Sequence, residues 1–270
     1  MTAWRVACLL IFLAAAAPAP PNVDAAGNRM ATFAVVTPPR SADGADPFAQ
    51  HCTAERTADR RWCARMREDE GGTTWWLELS QGTAPARRFD VAGLNDEESA
   101  FAIWPHIIVE ASGAVMVGVE ARRATGYAGG GASATRLLLM RAEPGDGALR
   151  QVLAVPLRAH KDIRACFGPR DMRRRRNACS DLYEYTGTLS LDPGTRTGRP
   201  QFLFSARARS WPGRRTRDSD STTDPPLRRA DLRWAVDPAC TYRRRIAFDP
   251  RQETYAPDRP LPECTDYLDF

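Results

Sequence analysis

The chain has almost no lysine. Lys161 stands alone among 38 basic residues, and the other 37 are arginine. Its basic surface is therefore built of planar guanidinium forks, which match carboxylate, phosphate and sulfate better than a point charge does. Histidine is scarce too: His51, His106 and His160 are the only three, well apart in sequence. There is no G-x-S-x-G elbow, no H-E-x-x-H pair and no dinucleotide glycine fingerprint. The glycine-rich run Gly126 to Gly131 is not followed by Lys-Ser or Lys-Thr, so it is no P-loop. No two cysteines have the close C-x-x-C spacing of a zinc site. No metal and no cofactor are therefore expected. Nor is there a second long apolar run, or a long amphipathic helical pattern.

What is present starts with an address. Met1 to Arg5 is a short positive start, and Val6 to Ala17 is an apolar run too short to span a bilayer. Small residues and prolines follow. The pattern predicts a secretory signal peptide over residues 1–25, cut before Ala26, and a periplasmic or secreted protein. Removing Arg5 and Asp24 leaves the net charge at +5. Residues 26–270 are enough for one sizeable core.

The cysteines agree with export. Without Cys8, six remain of the seven, an even number that reads as a disulfide framework. Nearest-neighbour pairing gives Cys52–Cys63, Cys166–Cys179 and Cys240–Cys264. Asp46-Pro47 has the form of a helix start. A helix continued to Cys63 would hold Cys52 and Cys63 about 16 Å apart, too far for a bond. Trp62, Ala64 and Met66 alternate with polar residues, which is strand periodicity and favours the bond.

From Trp75 onward, short runs with period-two alternation are separated by turn clusters. Strands are expected at Phe101 to Val109, Val115 to Ala121, Arg136 to Arg141 and Gln151 to Leu157. Leu182 to Leu191 is the clearest, returning as Gln201 to Arg209 after Asp192-Pro193-Gly194. Asp231 to Val236 and Tyr242 to Phe248 complete the series. This predicts a single all-β domain over 26–270: an antiparallel meander forming a two-sheet sandwich or irregular barrel, stabilised by disulfides. A small β-propeller-like fold is the alternative, because strand-ending phrases recur at Pro144, Pro193 and Pro238 with blade-like spacing. Residues 210–229 read as a long polar loop. Residues 249–270, with six acids and two arginines, read as a proline-rich strap fastened by Cys264.

Charge concentrates in one place. Residues 158–179 hold eight basic and two acidic side chains, including four consecutive arginines. Arg170, Arg173, Arg174, Arg175 and Arg176, with Arg214, Arg215 and Trp211 from the polar loop, form the predicted anion-binding set. A solvated charged surface is the plainer reading of the same residues. In an exported protein the partner would be an envelope glycan, a lipid phosphate or an acidic protein, rather than nucleic acid. Asp218, Asp220, Thr222 and Asp224 resemble part of a calcium loop, but Thr223 and Arg229 replace its glycine and glutamate. Asp181 and Glu184, beside Tyr183 and Tyr185, could pair carboxylates with stacking rings. Three residues apart on a strand, however, they point to opposite faces. The functional expectation is an exported, non-catalytic binding or accessory protein with an arginine-rich face. The alternative is a periplasmic hydrolase whose catalytic groups, such as His106, His160 and Asp162, converge only in three dimensions.

Overall fold

A computed structural model of the chain describes residues 22–36, 49–55, 60–71, 74–90, 99–144, 148–213, 215 and 223–269. The expected helix start at Asp46-Pro47 and the apolar run at the N-terminus lie outside them. The strands are β1 (Arg29–Val36), β2 (Gln50–Thr53), β3 (Trp62–Glu68), β4 (Trp75–Gln81), β5 (Arg87–Asp90), β6 (Ser99–Val109) and β7 (Val115–Tyr127). They continue as β8 (Gly130–Ala142), β9 (Arg150–Arg164), β10 (Ser180–Leu191), β11 (Phe202–Trp211), β12 (Ala235–Asp249) and β13 (Thr254–Pro257). Two short helices are α1 (Pro169–Arg174) and α2 (Thr265–Leu268).

Every strand belongs to one antiparallel sheet, ordered β13-β12-β11-β10-β9-β8-β7-β6-β1-β2-β3-β4-β5. The meander is as expected, apart from β1, which lies between β6 and β2. The sheet stays open, with β13 and β5 as its edges, and the described strands do not divide into propeller blades.

An open sheet of this width must fold over itself to bury its apolar side chains. The central strands show how. Val115, Val117 and Val119 on β7 are buried, and so is Met116 between them. Leu137, Leu138, Leu139 and Met140 on β8 are buried in succession. Runs without alternation mark strands covered on both faces. Met116, Leu137 and Leu139 join Tyr185, Leu189, Phe202, Phe204, Ile246 and Tyr255 in one core. Val117, Val119, Leu138 and Met140 join Phe33, Trp62, Met66, Leu77, Leu79 and Phe89 in the other. The β9–β13 arm thus curls over one face of the centre and the β1–β5 arm over the opposite face. Gly118 allows the fit: a Cβ there would lie 2.7 Å from both Leu137 and Trp104.

The two runs Asp231 to Val236 and Tyr242 to Phe248 are not separate strands. Ala235 and Val236 of the first run join the second in β12 through a bulge, where Ala208 faces Asp237 but Ala206 faces Tyr242, while Asp231 ends a short 3-10 turn. Pro238 has no N–H to give a ladder, and a bulge tolerates it. The Ala208 N–H bonds Thr241 Oγ1 at 3.2 Å. The same bulge carries Cys240.

All three disulfides are the nearest-neighbour pairs. Cys52–Cys63 links Cα atoms 4.1 Å apart, Cys166–Cys179 4.9 Å and Cys240–Cys264 5.7 Å. The C-terminal strap is held at α2 as well. The buried Lys161 donates from Nζ to the carbonyls of Thr265 (3.2 Å) and Asp266 (2.9 Å). Tyr267 packs edge-on against Tyr183. Near the other end, buried Asp24 accepts the backbone N–H of Ala26 and of Asn28, and Asn28 donates onward to the Gly198 carbonyl. The expected cleavage point before Ala26 falls inside this turn.

Candidate functional site

The arginine-rich loop contains α1, a helix too short and too charged to show in the sequence pattern. Its arginines divide. Arg175 is buried against Asp181 and donates Nε to the Ala178 carbonyl at 2.8 Å. Arg174 donates to the Asp224 carbonyl (2.5 Å) and Arg176 to the Leu227 carbonyl (2.9 Å). Arg215 pairs with Asp224 at 2.5 Å and donates to the Pro212 carbonyl at 2.9 Å. Arg174, Arg176 and Arg215 thus hold the 223–227 segment, and Arg175 fastens the disulfide loop to β10. Arg170, Arg173 and Arg176 stand exposed, though Arg176 is tied to the Leu227 carbonyl. Arg214 lies outside the described residues. Trp211 is half-buried at the end of β11, paired in register with Leu182.

A different set of arginines gathers on the exterior of β7–β11. Register places Arg122 of β7 opposite Thr135 of β8, Thr135 opposite Arg158 of β9, Arg158 opposite Thr186 of β10, and Thr186 opposite Arg207 of β11. The row therefore reads Arg-Thr-Arg-Thr-Arg across five adjacent strands. A bulge makes it possible: Arg136 faces Pro156 and Thr135 faces Arg158, so Leu157 is passed over. Neighbouring strands are about 4.8 Å apart, which sets these arginines about 10 Å from one another at the backbone.

The row lies in two adjoining hollows of about 710 and 590 Å³ that share Glu184 and Thr186. Hydroxyls from Thr188, Ser205 and Thr241 line the first, with Arg209 and Arg243. Ser133 and His160 line the second. Two acids sit in this trough, and each is neutralised. Glu120 pairs with Arg158, and Glu184 accepts from Arg209 Nε at 2.7 Å. Arg209 also stacks over Trp234, 4.3 Å from the ring centre. The arginine–aromatic contact looked for at Trp211 is thus made at Trp234. Arg122, Arg207 and Arg243 are exposed and have no side-chain partner among the described residues. The trough is left with three unpaired cations.

Other candidates resolve differently. Gly126 to Gly131 is no anion cradle: Tyr127 pairs with Gly130 and Gly126 with Gly131, so the glycines are ladder residues around a two-residue turn. Gly130 has φ +146, and a Cβ there would meet the Asp162 carbonyl oxygen at 1.8 Å. Of the calcium-like residues, Asp224 is held by Arg215, while Asp218, Asp220 and Thr222 lie outside the described residues. Asp181 and Glu184 do point to opposite faces, one to buried Arg175 and one to half-buried Arg209. Tyr183 and Tyr185 are buried and offer no stacking surface. Burial, then the 2.9 Å hydrogen bond with Tyr242, holds the Tyr185 hydroxyl above the ordinary phenol range. His51 and His106 lie on β2 and β6, and burial lowers both below the usual imidazole value of 6.5. No group of three or more potential metal ligands occurs among the described residues. No helix among them is long and apolar enough to cross a membrane.

No family model matches this chain, and neither does any curated protein or solved structure. The site must be read from its own chemistry: a wide, open, hydroxyl-lined trough with alternating cations.

Proposed function

We propose that this is an exported, non-catalytic binding protein, and that its partner is an extended polyanion, an acidic envelope glycan, laid across the strands along the arginine row. The observation that carries the reading is the register itself. A linear ligand crossing β7–β11 meets a guanidinium on every second strand, about 10 Å apart, roughly the length of a disaccharide. Threonine and serine hydroxyls between the cations suit a sugar polymer, and the Arg209–Trp234 stack gives its rings an apolar edge at one side. An open trough fits a polymer better than a small molecule, whose sites enclose most of the ligand. Three disulfides are compatible with a periplasmic or secreted location.

The hydrolase alternative has less support. Glu120 and Glu184 are the carboxylates of the trough, but they stand three strands apart, about 14 Å across the sheet, and four residues apart along it. Glycosidase pairs lie within about 10 Å. Each is also held by an arginine.

The test is retention on immobilised heparin and on an acidic polysaccharide. An exposed ion pair contributes about 0.5–1 kcal/mol. Replacing Arg122, Arg207 and Arg243 together by serine should therefore weaken binding by about tenfold or more, with thermal stability unchanged. Arg170→Ser with Arg173→Ser should leave glycan binding intact. Equal retention of the wild type and the triple variant sinks the reading.

A further inference from the structure

One end of the sheet joins exposed apolar side chains to exposed arginines, and nothing in the trough reading uses it. Phe167 is the most exposed large apolar residue among those described, at 63%. Tyr127 and Met172 are 46% and 45% exposed. They come from two elements locked side by side. The β7–β8 turn meets the start of the disulfide loop where the Arg164 N–H donates to the Gly129 carbonyl, and Tyr127 reaches the Asp162 carbonyl at 3.4 Å. The Arg164 guanidinium lies 5.2 Å from the Phe167 ring centre. Arg170 and Arg173 are exposed on α1, beside Met172. The one acid on α1, Asp171, accepts the Phe167 N–H at 3.0 Å.

We infer that this end is a peripheral membrane contact for an anionic phospholipid surface. Charge complementarity chooses the occupant. Arginines rimming a protruding aromatic and a methionine combine the two signals that hold a protein on a bilayer: apolar insertion at the headgroup boundary, and attraction to anionic lipid. The base is stiff. Cys166–Cys179 closes the loop, and Gly130 accepts no side chain, so little is lost by ordering on contact. No described helix crosses a bilayer; this end lies on one. The arginine row crosses β9 at Arg158, six residues along the strand from Arg164 at this end. A docked protein would therefore hold the arginine row about 20 Å from the lipid surface.

The experiment is cosedimentation of the exported chain with vesicles of phosphatidylcholine alone and of phosphatidylcholine with phosphatidylglycerol. Binding is expected to the mixed vesicles and not to the neutral ones. Phe167→Ser with Met172→Ser should weaken it by about tenfold, and Arg170→Ser with Arg173→Ser by a similar factor. The trough variant lacking Arg122, Arg207 and Arg243 should bind vesicles as the wild type does. Brominated lipid should quench the fluorescence of Phe167→Trp more than that of the wild type. All of these positions are exposed, so unfolding is not a confounder. The inference is overturned if neutral vesicles bind equally, if serine at 167 and 172 changes nothing, or if only the trough variant loses vesicle binding. The last result would leave plain adsorption through the glycan face. The glycan reading is tested separately by its polysaccharide arm.

Discussion

Arg175 and its neighbours on the same run do opposite jobs. Its guanidinium is 5% exposed and its partner Asp181 4%. Removing Arg175 leaves buried Asp181 with only Arg215, 3.9 Å away, and breaking such a buried pair costs up to about 3–5 kcal/mol. Arg175→Ser should therefore lower the midpoint of thermal unfolding sharply, whereas Arg170→Ser and Arg173→Ser should leave it in place. Differential scanning calorimetry of the three variants checks this, and equal midpoints would contradict the pairing. Mutating the whole run at once would confuse a stability defect with a binding one. The sequence could not separate these residues. Four arginines in a row look alike until a helix of six residues and a following turn rotate each to a different side. The sign of the local charge was legible there, but its use was not.

At the scale of elements, what was readable followed one rule. Strands that bury one face, such as β10, carry a strict alternation, and the return of β10 as the following strand was legible in the turn chemistry at Asp192-Pro193-Gly194. Elements specified by a deviation from that rule were hidden. Pro238 looked like a strand end but sits in a bulge. The trough depends on Leu157 being passed over, which no periodicity announces, and its arginine row comes from five strands whose register is a tertiary property. The strap was visible as prolines and a cysteine, but its second fastening was not. Lys161 holds it through two carbonyls of α2, charge-assisted bonds in a buried site. Lys161→Met keeps most of the packing and removes those bonds, at a cost of about 1.5–3 kcal/mol. The expected outcome is faster limited proteolysis between residues 258 and 269 with Cys240–Cys264 intact. An unchanged cutting rate would mean the disulfide and the buried Tyr267 hold the strap without Lys161.

The whole molecule is organised around strands that serve two cores at once. Leu138 and Leu139 are neighbours on β8, yet Leu138 packs with Phe33, Trp62 and Leu79 in one core, and Leu139 with Tyr185, Phe202 and Phe204 in the other. Neither arm of the sheet has an apolar layer of its own to close against; each closes against the shared centre. Loosening one face therefore withdraws support from the ladder that the other face rests on. Leu138→Ala and Leu139→Ala should each cost about 2–5 kcal/mol. Each should shift one common transition, with far-ultraviolet dichroism and tryptophan fluorescence coinciding. Two arms stabilised independently would instead give a split curve for one variant, with one core melting ahead of the other. The same coupling bears on the trough. Its row runs from β7 at the shared centre to β11 in one arm, so the arginine spacing depends on both cores. Below the lowered midpoint, each variant should still bind polyanion with wild-type affinity, and binding should disappear together with the single transition.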